Sequence, residues 1–441
     1  MAFSGSELGL AWAAPFAGLL LSIAVLPLAA PALWHHHFGK IAAAWTLALL
    51  LPFGLSFGAA ATGGVLMHTL VEEYLPFTIL LCALYTTAGG IYIRGNLRGS
   101  PRLNVGLMAL GALLASFMGT TGACMLLIRP LIRANDNRRH NAHVVIFFIF
   151  IVGNVGGSLT PLGDPPLFLG FLQGVSFFWT LGHLLPETLF LLAALLAVFW
   201  AIDAWLFRHE GVTRPDPTPD TATLGLEGAI NLAPLAAAVG LVLMSGYWKP
   251  GIVFDLWGTP LPLQALVRDA GLVLVTAVSL WITPAGVREK NRFSWAPMQE
   301  VAKLFIAIFL TMVPVMAMLK AGPAGVFAPV ASRLDSPWAY FWFTGGLSSV
   351  LDNAPTYLAF FNLAGGDAQR LMGEGAAVLV AISGGAVFMG AMTYIGNAPN
   401  FMVKAIAEER GVKMPSFGGY LLWSCAVLLP LLFLMAWIWM R

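Results

Sequence analysis

The sequence predicts an all-α polytopic membrane protein built as an inverted repeat, with two re-entrant hairpins and two broken transmembrane helices: about 10 spans plus the 2 hairpins. Three observations predict it: the composition, a motif that recurs at constant offset, and the placement of the basic loops. Of 441 residues, 59% are hydrophobic and only 10% charged, with a mean hydropathy of +0.81. Soluble domains carry roughly 25% charged residues. The net charge of +2 is too small to suggest a nucleic-acid partner. Cys82, Cys124 and Cys425 lie in apolar segments, with neither metal-ligand spacing nor a secreted disulfide pattern. The first apolar run, from about Leu8 to Trp34, is long enough to span and reads as a helix rather than a cleavable signal peptide.

At roughly 20 residues per crossing, continuous spans are expected near 8–33, 41–61, 66–93, 183–206, 229–247, 269–285, 299–320 and 417–440. The segments 141–172 and 375–404 are apolar but interrupted, and read as broken helices. The stretches at about 104–130 and 337–363 have polar residues in their middles and too little length to cross twice, so they read as hairpins. The Pro/Thr/Asp-rich stretch FRHEGVTRPDPTPDTATLGLEG (207–228) reads as a cytoplasmic linker. It divides a first repeat, 1–206, from a second, 229–441.

The repeat shows in the interruptions. GNVGGSLTPLGDPP (153–166) places glycines, prolines and Asp164 inside an apolar run. Each proline removes a backbone donor, and an ionised Asp in hydrocarbon costs several kcal/mol unless paired or watered. MGAMTYIGNAPNFMV (389–403) repeats it: Gly163-Asp164-Pro165-Pro166 aligns with Gly396-Asn397-Ala398-Pro399, an offset of 396 − 163 = 233. At that offset Gly157 meets Gly390, Thr160 meets Thr393, and the hairpin stretch ASFMGTTGA (115–123) meets SSVLDNAPT (348–356). Two similar kinks arising separately would not share one offset.

Lys and Arg give the orientation. RGNLRGSPR (94–102) and IRANDNRRH (132–140), flanking the first hairpin, are basic; ASRLDSPW (331–338) and GGDAQRLMGEG (365–375), flanking the second, are balanced or acidic. Ten crossings keep the other basic loops, VREKNR (287–292), KAIAEERGVK (404–413) and WHHHFGK (34–40), on the inner side with both termini outside. The hairpins then enter from opposite faces.

Irregular backbone at membrane depth survives only where protein or a water-filled cavity covers it. Paired broken helices in two inverted halves point to a transport site, where carbonyls coordinate cations and half-helix N-termini favour anions. A hard cation wants several oxygens. Thr120, Thr121, Asn154, Thr160, Asp164, Asp352, Asn353, Thr393 and Asn397 offer them, with Ser116 and Ser349 close in sequence. Asp164 and Asp352 are the acids of the interrupted elements, one per half, and the candidate Na⁺ ligands; each could accept a proton when the cation leaves, or could simply cap a half-helix. His68, Glu72 and Glu73 near the outer end of the third span form a candidate proton relay, or an interfacial ion pair. Arg129 reads as an anchor at the cytoplasmic face or an anion contact, Lys303 and Lys320 as snorkelling residues, and His35-His36-His37 as a solvated cluster. Glu187, alone in an apolar span, has no assigned role.

GGSLTPLGDPPLFLGFL (156–172) and SSVLDNAPTYLAFF (348–361) resemble the ion transporter superfamily, and most closely its NhaD-like sodium:proton antiporters and CitMHS-type citrate transporters. The resemblance covers about 66–172 and 299–440. It implies an elevator-like scaffold with its sites at the hairpin tips and broken helices. The related divalent-anion symporters carry Ser-Asn-Thr at both tips; this chain has Gly119-Thr120-Thr121 and Asp352-Asn353-Ala354, which counts against dicarboxylate binding. The expected function is a secondary transporter exchanging Na⁺ or Li⁺ for protons. The alternatives are a cation-coupled symporter of citrate or another carboxylate and, third, an arsenite-type exporter. No HExxH motif suggests a metal-dependent enzyme. No cofactor is expected beyond Na⁺ and H⁺ as moving ions; the partners are the lipid bilayer and small ions or a carboxylate, with a homodimer as a candidate assembly. The expected location is a cell membrane, the bacterial inner membrane.

Overall fold

A computed structural model describes residues 5–95, 97–210 and 225–441. Among these, nine helices are long and apolar enough to cross a membrane. One of them, Pro101–Ala134, is the first hairpin rather than a span. Gly119 at its centre has φ 78° and ψ 152°, a left-handed conformation open to glycine, and there the chain turns back. A Cβ on Gly111 would lie 3.0 Å from the Leu127 side chain, although 16 residues of straight helix would separate the two by about 24 Å. Reciprocal amide bonds between Asn104 and Asn135, 3.0 and 2.8 Å, close the base. The second hairpin pairs Pro337–Ser348 with Asn353–Leu363. Both begin alike: Ser100 and Ser336 cap through their side chains, each followed by a proline in the first turn, where a missing N–H goes unnoticed.

Eight continuous spans remain: Leu10–Pro27, Pro31–Phe57, Ala59–Gly89, Trp179–His209, Ala229–Tyr247, Leu263–Ile282, Ala296–Lys320 and Phe417–Trp439. Two broken helices complete the ten. The first runs through Ala142–Ile151 and Pro165–Leu172, the second through Ala376–Met389 and Ala398–Glu409. Two short antiparallel ribbons add to the all-α plan: Tyr92–Arg94 with Gly225–Glu227, and Val253–Leu256 with Thr259–Pro262.

The basic segments gather on one face. Arg133 donates to Tyr92 and to the Ile93 carbonyl, Lys290 pairs with Glu227 at 2.6 Å, and Arg292 pairs with Glu409. The base of the first hairpin lies there. On the opposite face, Trp179 donates to the Met372 carbonyl at 3.2 Å, Lys320 packs on Gly366 beyond the second hairpin, and Gly5 packs on Ala317. The two hairpins therefore open to opposite faces, and ten crossings return the chain to the face it started from.

Several expected boundaries shift. The chain breaks at Ala30 (φ −145°, ψ 64°) and restarts at Pro31, so WHHHFGK, expected as a loop, is helical, with its three histidines exposed. Nothing between Pro31 and Pro52 stops a helix, and a polar face at the headgroups needs no loop. The third span starts at Ala59 rather than 66 and contains a π-helical turn, Thr69–Tyr74. The first hairpin reaches beyond 104–130, and the second broken helix continues to Glu409. Of the expected linker 207–228, residues 211–224 lie outside the described residues; its flanks belong to a helix ending at His209 and a strand starting at Gly225.

Candidate ion-binding site

Both broken helices lose their regularity because glycines let the chain fold onto itself. A Cβ on Gly163 would sit 2.1 Å from the Gly157 carbonyl oxygen, and one on Gly396 would sit 2.6 Å from that of Gly390. Each break is fastened to its own hairpin by a threonine. Thr160 donates to the Ser116 carbonyl, and Thr393 to the Ser349 carbonyl at 2.5 Å. Each hydroxyl also accepts a backbone N–H two residues on, from Leu162 and from Ile395, at 3.2 Å in both. These contacts repeat at the offset of 233, so the repeat seen in the sequence is a repeat of hydrogen bonds.

The two halves meet at Asp164. Its carboxylate accepts from Thr120 Oγ1 of the first tip at 3.1 Å, from Asn353 Nδ2 of the second tip at 2.7 Å, and from Asn397 Nδ2 of the second break at 3.1 Å. Asp164 and Asn397 are equivalent positions of the repeat, as are Thr120 and Asn353. The first tip is held further by Thr120 N–H donating to the Gly163 carbonyl at 2.8 Å. Asp164 is 1% exposed, and its side chain makes no capping bond to the helix it precedes. Among the described residues no Lys, Arg or His pairs with it. A buried carboxylate without a cationic partner calls for a cation or a proton.

Asparagines extend the site. Asn397 Nδ2 also reaches Asn154 Oδ1 at 3.2 Å, Asn154 Nδ2 donates to Asn400 Oδ1 at 2.8 Å, and Asn400 Nδ2 donates to the Gly390 and Thr393 carbonyls at 2.8 Å. Asn400 was not foreseen. The signal for it lay in the alignment: at the offset of 233, Asn400 falls on Leu167, and Asn154 falls on Val387. These asparagines stand where the other half is apolar. Asn353 Oδ1 is buried and finds no hydrogen-bond partner. Turning that amide over would set oxygen against the Asp164 carboxylate, so the unmatched acceptor stays at the site.

The other expected residues fall outside this shell. Thr160 and Thr393 spend their hydroxyls on the hairpins. Thr121 is half-buried beside Thr120. Asp352 caps the Asn353–Leu363 helix through the Ala354 N–H at 3.1 Å. His68 and Glu72 approach to 3.4 Å on a cavity wall at the face opposite the basic one, whose lining includes Glu73 but not Asp164. Glu187 is buried in its span, with one carboxylate oxygen unpartnered. A buried ion network at the basic face was also missed. Arg138 bridges Asp203 at 2.6 Å and Glu210 at 3.1 Å, while His143 and Asn104 contact Asp203 at 2.8 and 3.0 Å. It ties the base of the first hairpin to the Trp179–His209 helix and the start of the first broken helix. Its members are far apart in sequence and form no motif.

Two proteins named as uncharacterized transporters, one from Mycobacterium bovis and one from Mycobacterium tuberculosis, are each 25% identical to this chain over 362 residues, covering 79% of the chain and 76% of the relative. The sequence profile of the family described as "Putative citrate transport" matches residues 5–440. With that match over nearly its whole length, the chain belongs to this family of multi-pass membrane transporters.

Proposed function

We propose that the chain exchanges Na⁺ or Li⁺ for protons, with both ions competing for Asp164. The observation that carries this reading is the buried carboxylate at the meeting point of two hairpin tips and two helix breaks, donor-bonded by Thr120, Asn353 and Asn397 and, among the described residues, without a cationic partner. Protonated, such a carboxylate holds no cation; ionised, it holds one with help from neighbouring oxygens, among them the unmatched Asn353 Oδ1. Binding one ion therefore expels the other, which suffices for antiport. In this proposal the hairpins and broken helices move together past the remaining spans, elevator fashion, with the basic face in the cytoplasm and both termini outside.

The family's description favours a second reading, a cation-coupled carboxylate symporter. In that case Asp164 holds the coupling cation, and the carboxylate is recognised by half-helix N-termini, since among the described residues no Lys or Arg bonds to the tips. Proteoliposomes separate the two. Dissipation of a pH gradient by Na⁺ or Li⁺ without citrate supports exchange; flux only when citrate is supplied supports symport.

A further inference from the structure

A cavity of about 1250 Å³ lies on the face opposite the basic one. Its wall combines the second hairpin (Leu358, Asn362) and the end of the first broken helix (Phe171, Leu172) with the spans that carry Glu72, Gln264 and Lys320. Three side-chain oxygens on this wall are buried and have no hydrogen-bond partner: Glu72 Oε1, Gln264 Oε1 and Asn362 Oδ1. Asn362 is 4% exposed, and its amide orientation is fixed. Nδ2 donates to the Leu358 carbonyl at 2.8 Å and to Met316 Sδ at 3.1 Å, and turning the group over would set oxygen against that carbonyl. None of the buried nitrogens left unpartnered among the described residues lines the cavity. The unmet demand of the wall is thus for a donor or a cation.

We infer that this cavity holds a second, outer binding site for a monovalent cation, formed by Glu72, Glu73, Gln264 and Asn362, from which the ion passes to Asp164. The choice of Na⁺ rests on the exchange reading above. Glu72 and Glu73 sit on the π-helical turn Thr69–Tyr74, a local widening of the helix that recurs at functional sites. His68 lies 3.4 Å from Glu72. Three basic residues also line the cavity. Arg268 is held by Asp269 at 2.7 and 3.1 Å. Lys249 is exposed. Lys320 is exposed as well, and its Cε and Asn362 Oδ1 both pack on Gly366, 3.4 and 2.9 Å from where a Cβ would stand. The Lys320 ammonium is therefore the group that competes with an arriving cation.

The test is saturable binding of ²²Na⁺ to the purified full chain. With the central carboxylate removed by Asp164→Asn, binding persists at the outer site. Adding Glu72→Gln or Asn362→Leu weakens it about tenfold, the loss expected for one charge-assisted contact. Adding Lys320→Met, an exposed change that leaves packing intact, tightens it. Opposite signs from an oxygen ligand and a lysine are not what general misfolding produces. Loss of all Na⁺ binding in Asp164→Asn, or residual binding indifferent to all three changes, overturns the outer site. A wild-type protein that binds Na⁺ in this way yet moves no protons in response to it contradicts the exchange reading and leaves the outer site standing.

Discussion

Asp164 and Asp352 carry the same charge, lie one at a helix break and one at a hairpin tip, and are read alike from the sequence. The structure gives them different surroundings. Asp164 accepts from three side chains and caps nothing; Asp352 accepts the Ala354 N–H at 3.1 Å as an N-cap. Asn caps a helix about as well as Asp. Asp352→Asn is therefore expected to leave thermal stability in detergent near wild type and to retain exchange, whereas Asp352→Ala loses about 1 kcal/mol. Equal loss of exchange in both variants would return Asp352 to the ion's own ligands. For Asp164 the proton works against the cation. Lowering pH is expected to raise the Na⁺ concentration needed for half-maximal exchange and to leave the maximal rate at saturating Na⁺ much less affected. A half-saturating concentration that stays flat with pH, measured in vesicles, would show that the two ions do not share a site.

At the level of elements, each hairpin is stitched to its own break by one threonine, with matching bonds in the two halves. Thr160→Val leaves a carbonyl and an N–H without their partner, and Thr393→Val a carbonyl and the Ile395 and Gly396 N–H groups, both at nearly constant volume. Both are expected to destabilise by similar amounts, about 1–3 kcal/mol, read as paired drops in unfolding temperature. A large effect in one half and none in the other would contradict the equivalence. Gly396→Ala places a Cβ 2.6 Å from the Gly390 oxygen and 2.8 Å from that of Ser348, both backbone atoms that cannot yield. Its expression should fall well below that of Gly240→Ala, where nothing lies within 4 Å. Hairpins, breaks and their pairing were legible in the sequence, because Gly, Pro and a common offset record backbone demands directly. Asn400 and the Arg138–Asp203–Glu210 network were not. Hydrogen bonds between elements 60 to 246 residues apart leave no local pattern. The loop expected at 34–40 failed for another reason: polar residues mark the membrane surface, and a helix crosses that surface without ending.

For the whole molecule, the inverted plan makes a statement about sidedness. The first hairpin opens beside the strand Tyr92–Arg94, and the second beside Lys320 and Met372. Single cysteines placed in 94–102 and in 364–374 of a chain whose own Cys82, Cys124 and Cys425 are replaced should react with an impermeant thiol reagent from opposite sides of the membrane. Reaction of both from one side would break the inverted repeat. In the proposed elevator movement, the cavity between the second hairpin and the span ending at Lys320 lies at the boundary between the two units, and Asp164 with its three donors falls wholly in the moving one.

The most direct test of exchange at Asp164 is Na⁺-induced proton movement in proteoliposomes, without citrate, for wild type and Asp164→Asn at equal reconstitution. Asparagine keeps the shape of the side chain and removes the charge for which both ions compete. The account predicts that Na⁺ or Li⁺ dissipates an imposed pH gradient through the wild-type protein and that Asp164→Asn falls to the level of empty vesicles. Proton movement through Asp164→Asn at the wild-type rate would contradict it.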